Sequence, residues 1–146
     1  MKLKFHRVRA GYYRAFRQVD GAHVADVENG AAQGCCSPRE WLVTLYDPDT
    51  TRTDGDIQPS YWASKLVVRS HVAQLPDPIQ VMRDKLHDLL FHEGSGSEYR
   101  DNTLEDEREV RSWYKDDVEE ILRSFKRRRG EGLDKAARRL LGGLLP

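Results

Sequence analysis

The chain has 146 residues, 38% hydrophobic and 33% charged, with 24 basic and 24 acidic groups and a formal net charge of zero. That length suits one domain of ordinary size with a helical appendage, and the composition predicts a modest core. No apolar run approaches the roughly 20 residues that span a bilayer, and the start lacks the apolar stretch of a signal peptide.

The zero charge is an average over separated blocks. Residues 1–18 carry six basic groups and no acid, and residues 19–60 carry two basic and eight acidic groups. Residues 61–91 are nearly balanced. Residues 92–122 carry four basic and eleven acidic groups, and residues 123–146 carry eight basic and two acidic. Such blocks either pair internally or leave a basic surface for phosphates or acidic partners. The only cysteines, Cys35 and Cys36, are adjacent. Neighbours bridge each other poorly, so a disulfide framework is excluded and the thiols suit a reducing compartment. The expectation is a soluble, cytoplasmic protein.

In chain order, Leu3 and Phe5 alternate with Lys2, Lys4 and His6 and predict a strand over 2–8. Residues 11–18 predict another, with Tyr12, Arg14 and Phe16 on one face and Tyr13, Ala15 and Arg17 on the other. Ala10-Gly11 reads as a bulge or bend inside one longer strand. Asp20-Gly21 is a hairpin signal that turns the chain into a partner strand over 22–28. Residues 29–39 are a loop by composition, and residues 40–46, EWLVTLY, form the best strand in the chain. Residues 47–60 read as a long exposed loop.

Residues 61–75 are ambiguous. Leu66-Val67-Val68 favours a strand, whereas Val68, Val72 and Leu75 have helical spacing; the reading adopted is a strand near 64–71. Asp77-Pro78 then opens a helix over 78–91, with Asp77 as N-cap and Gln80 as its capping-box partner. Ile79, Met82, Leu86, Leu89 and Leu90 make its buried face. Gly94-Ser95-Gly96-Ser97 predicts a flexible linker.

Residues 102–129 give the clearest signal. Val110, Tyr114, Val118, Ile121 and Phe125 fall within about 80° of one helix face. Thr103 and Asp106 make an imperfect capping box, and Gly130 is placed to end the helix. Acids crowd its first turns and basic groups its last, as the helix dipole favours. Glu107–Arg111 and Glu119–Arg123 are favourable i, i+4 pairs. Leu133, Ala136, Ala137, Leu140 and Leu141 predict a second short basic helix, stopped by Gly142 and Gly143.

The expected fold is α+β: an antiparallel meander of three to four strands with one packed helix, then a long C-terminal helix and a short basic helix. The expected divisions are a sheet-plus-helix domain over 1–93, a linker over 94–101 and a helical hairpin over 102–146. The spacing of Tyr13-Arg14, the Asp20-Gly21 turn, Val24, the strand EWLVTLYD and the late helix carry a resemblance. Residues 8–91 resemble small sheet-plus-helix proteins of actinobacteria and their phages. The resemblance implies an origin of that kind; many such proteins have no assigned function.

No motif specifies chemistry. The chain has no P-loop, dinucleotide fingerprint, H-E-x-x-H, paired C-x-x-C or G-x-S-x-G. His87 and His92 fall about 140° apart around a helix, poor for sharing a metal. No cofactor, metal or catalytic residue is expected. The reading is a small non-enzymatic accessory protein that works by binding. A protein partner or a second copy would meet the long helix at Trp113, Tyr114, Val118, Ile121 and Phe125. The alternative is nucleic acid, held by Arg7, Arg9, Arg14 and Arg17 on the aromatic N-terminal strands and by Arg127, Arg128, Arg129, Arg138 and Arg139 near the C-terminus.

Overall fold

The computed structural model describes residues 1–34, 36–50, 52–94 and 104–145. The chain divides into two compact units: Met1–Leu75 with Arg128–Gly130, and Pro76–Arg127 with Glu131–Pro146. No helix among the described residues is long and apolar enough to cross a membrane.

The first unit is α+β. Strands β1 (Leu3–Arg9), β2 (Tyr12–Arg17), β3 (His23–Asn29), β4 (Trp41–Tyr46) and β5 (Thr53–Gln58) form one antiparallel sheet in chain order. A single helical turn, α1 (Gly30–Gln33), follows β3, and α2 (Tyr61–Gln74) packs against β3 and β4. The chain reverses at Ala10-Gly11, where Gly11 adopts φ 72°, so β1 and β2 are separate strands of a hairpin. The bulge falls between Arg7 and Arg9. Asp20-Gly21 makes the next turn, with Gly21 at φ 68°.

Two expectations for this unit are corrected. The sheet has five strands, because TDGDIQ, expected to be loop, pairs along β4 from Trp41↔Gln58 to Tyr46↔Thr53. Its side chains show no apolar alternation, but ladder hydrogen bonds need only backbone groups. Residues 61–74 are helix, not strand. Ser60 caps it, its Oγ accepting from Ala63 N at 3.1 Å, and the helical spacing of Ser64, Val68 and Val72 sets the buried face.

One face of the sheet carries the core. Ala15, Val24, Ala25, Val27 and Val43 meet Val68 and Val72 of α2, with Leu3, Phe5, Trp41 and Leu45 around them. Tyr61 closes one end, its ring 4.5 Å from Tyr13 and 5.1 Å from Trp41 between centroids. A buried ion pair anchors the β2–β3 turn. Arg17 Nη2 reaches Asp20 Oδ2 at 2.6 Å, and Asp20 Oδ1 accepts from Ala22 N at 3.1 Å.

The second unit is helical. It contains α3 (Pro78–Leu89) with a π-helical turn, Leu90–Gly94, then α4 (Leu104–Trp113), α5 (Lys115–Arg123), α6 (Leu133–Leu141) and a 3-10 turn, Gly142–Leu144. Asp77 caps α3 as expected, its Oδ1 accepting from Ile79 N at 3.0 Å; Gln80 is engaged instead with Arg83 and Asp84. The helix expected against the sheet therefore belongs to this unit, where it packs on α5 and α6. The expected linker, 94–101, apart from Gly94, and the Thr103 cap lie outside the described residues.

The long helix expected over 102–129 is two helices. Tyr114 breaks it at φ −90°, ψ 1°, and α5 ends at Arg123. There Ser124 N and Phe125 N donate to Ile121 O and Leu122 O, a tightened last turn, while Ser124 Oγ donates to Ile121 O at 2.8 Å. Phe125 then turns into the core, so Lys126 to Arg129 leave the helix. The expected end at Gly130 is a turn glycine at φ 73° instead.

Candidate functional site

The strand period of two sorts each strand's side chains onto two faces. The face opposite α2 takes Lys4 and His6 from β1, Tyr12, Arg14 and Phe16 from β2, and Asp26 and Glu28 from β3. The pairings Lys4↔Phe16, His6↔Arg14, Arg14↔Asp26 and Tyr12↔Glu28 fix this set. A register shift between Ala15 and Phe16 brings His23 beside Phe16.

Two features cross this face. The first is a row of rings running from β1 to β4. Successive centroids are 5.6 Å apart for His6–Phe16, 5.2 Å for Phe16–His23 and 4.7 Å for His23–Tyr46. The second is a polar network centred on Asp26. Tyr46 OH donates to Asp26 Oδ2 at 2.8 Å, and Arg14 Nε lies 3.5 Å from Oδ1. His23 Nε2 lies 2.9 Å from Asp26 Oδ1 and 3.1 Å from Ala25 O. Both are acceptors, so this nitrogen carries the proton. Arg14 Nε also donates to Tyr12 OH at 2.7 Å, and the Arg9 and Arg14 guanidiniums lie over the Tyr12 ring at 5.7 and 5.4 Å.

The network sets its own charges. Burial pushes the Asp26 carboxyl up, but the hydrogen bonds from His23 and Tyr46 outweigh it, and its pKa lies below the ordinary value. Burial, with the bond to Asp26, pushes the Tyr46 phenol up to about 12. Burial and the neighbouring Asp26 charge raise Glu28, with Arg9 3.9 Å away opposing them. At neutral pH, Asp26 is therefore a carboxylate and Tyr46 a fixed donor.

The basic residues expected from the sequence divide by use. Arg7 is exposed on β1, and Arg9 and Arg14 belong to the network just described. Arg17 does not reach the surface: its side chain is 1% exposed, and its Asp20 partner 0%. Arg128–Gly130 group with the first unit, and Arg129 and Gly130 line a cleft of about 360 Å3 with Arg14, Phe16, His23, Asp26 and Tyr46. Arg127 Nε donates to Glu131 O, and Arg139 is bound to the Glu131 carboxylate at 2.8 and 3.0 Å and to Lys126 O at 2.8 Å. Those two arginines hold the turn into α6. Arg138 is exposed.

The expected protein-binding stripe is largely used inside the second unit. Val118 and Phe125 are buried with Leu122 against Met82, Leu86 and Leu90 of the α3 segment and Leu133, Ala136, Ala137 and Leu141 of α6. Tyr114 and Ile121 pack partly buried on the same cluster. Trp113 alone of the five is exposed, at 57%. Two ion pairs tie α4 and α5 to the α3 segment: Glu119 meets Arg83 at 2.9 Å and Arg111 meets Asp88 at 2.7 Å.

Sequence reasoning misses His23, Asp26 and Tyr46. The strand period separates the faces, but only the register of β3 against β2 and β4 brings these three together. Lys65 and Arg69 also escape it, because they lie in the segment expected to be strand. With Lys2, Leu3, Phe5 and Gln18 they line a second cleft, of about 380 Å3. Among the described residues no group of three His, Cys, Asp or Glu is placed to hold a metal ion. Cys36 is half-buried, and Cys35 lies outside the described residues. No family model matches the chain, and no curated protein or solved structure matches it significantly.

Proposed function

We propose that the protein is a non-enzymatic binding protein whose first unit holds nucleic acid. The observation that supports this reading is the convergence of two basic segments far apart in sequence. Arg14 from the N-terminal strands and Arg129 from the C-terminal basic run line one cleft on the ring-bearing face of the sheet. Lys2 and Lys4 are exposed on or beside the adjoining edge strand, and no acid interrupts β1. Cations in such an array attract phosphates, and each phosphate neutralised releases a counterion. Asp26 and Glu28, the acids that the described strands β1 to β3 place on this face, are each matched by an arginine.

The test is fluorescence anisotropy with labelled DNA and RNA, single-stranded and duplex, over a range of salt. Affinity should fall steeply with salt. The combined variant Lys4→Ala, Arg129→Ala should lower the slope of log K against log salt by about 1 for each phosphate no longer neutralised. Absence of binding at low salt overturns the reading.

A protein partner is the second reading, favoured by Trp113, which is exposed at the end of α4 in the second unit. An exposed tryptophan is an efficient interface anchor. Light scattering after size exclusion tests its self-pairing form: a monomer at every concentration overturns it.

A further inference from the structure

The rings of His6, Phe16, His23 and Tyr46 form a continuous row on a face that carries none of the sheet's core. Tyr13, on the opposite face, packs against Trp41 and Tyr61 as a core ring does. Among the described residues the outward row belongs to neither apolar core cluster. Its neighbours are charged: Lys4 pairs across from Phe16, and Arg14 pairs across from His6.

Phe16 lines two clefts. One, of about 530 Å3, is formed with Lys4, His6, Arg17, Gln18 and Gly21. The other, of about 360 Å3, is formed with Arg14, His23, Asp26, Tyr46, Arg129 and Gly130. A ring between two clefts, each with a cation at its wall, matches a strand whose successive bases lie on either side of the ring and whose phosphates meet the cations. A duplex offers phosphates but keeps its base faces stacked inside, so it cannot use the rings.

We infer that this face binds single-stranded nucleic acid, with Phe16 and His6 as the stacking platform and Lys4 and Arg129 on the flanking phosphates; this rests on the nucleic-acid reading above and narrows its ligand. Stacking on an aromatic side chain tolerates every base, because each has a π-face. Weak sequence preference follows.

The experiment uses the full chain with a labelled oligothymidine and a hairpin duplex of equal phosphate number, titrated at low and physiological salt. The single strand should bind tighter. Phe16→Leu keeps apolar bulk but removes the ring, and should weaken single-strand binding roughly ten- to a hundredfold while leaving the salt slope and the duplex affinity unchanged. Phe16→Tyr keeps a ring and should retain the affinity, which guards against a Phe16→Leu protein that fails to fold. Lys4→Ala should do the converse, lowering the salt slope for both ligands. Equal binding of the two ligands, or loss of affinity in Phe16→Tyr as large as in a folded Phe16→Leu, overturns the stacking inference and leaves the nucleic-acid reading standing. No binding of either ligand overturns both.

Discussion

Replacing Asp20 by Ala tests the most concentrated electrostatic feature of the first unit. The Asp20 carboxylate holds the Arg17 guanidinium at 2.6 and 3.2 Å, with the two side chains 0% and 1% exposed. The same carboxylate caps the hairpin turn through Ala22 N. Removing it leaves a guanidinium charge in a place that water does not reach. Breaking a buried pair from one side costs about 3–5 kcal/mol, against a total stability of about 5–15 kcal/mol for a typical domain. Urea unfolding followed by tryptophan fluorescence should show the loss, since Trp41 and Trp62 both belong to this unit. The double variant Arg17→Met, Asp20→Leu removes both charges and should recover much of it. A loss below about 1 kcal/mol for Asp20→Ala would refute the reasoning, because it would mean that Arg17 finds water.

The Asp26 network predicts a pH dependence of definite sign. Its folded pKa lies below the ordinary carboxylate value, so its stabilising contribution is complete above that value and disappears as pH falls through the folded pKa. The stability difference between the native chain and Asp26→Asn, read from urea midpoints, should shrink as pH drops from about 6 toward about 2; a constant difference would exclude this origin. In the second unit, Leu86→Ala should cost about 2–5 kcal/mol, because Leu86 is fully buried between α3 and its partners, while Trp113→Ala should stay within about 0.5 kcal/mol. Equal effects of the two in thermal unfolding would contradict the division between core and surface.

Elements with local signatures were legible in the chain itself. The Asp20-Gly21 hairpin, strand 41–46, the Asp77-Pro78 start of α3 and the limits of α6 each rest on residues that act within a few positions of one another. A turn glycine, a capping carboxylate and an i, i+3, i+4 stripe carry their information locally. The alternation of Tyr12, Arg14 and Phe16 also identified their shared face correctly.

Tertiary structure decided the rest. β5 exists because β4 offers a ladder of backbone groups, and those groups are the same for every side chain. Residues 61–74 chose helix because an apolar sheet face awaited Val68 and Val72, outweighing the β-branched run. The stripe over 110–125 announced an apolar face but not what covers it. Met82, Leu86 and α6 cover most of it, leaving only Trp113 of the expected interface exposed. The candidate site is likewise a product of register. His23, Asp26, Tyr46 and Arg129 share no local pattern with Arg14 and Phe16, and strand pairing and chain return alone make them neighbours. Periodicity states which side chains need cover or company; only the packed chain assigns the partner, because the partner is distant in sequence.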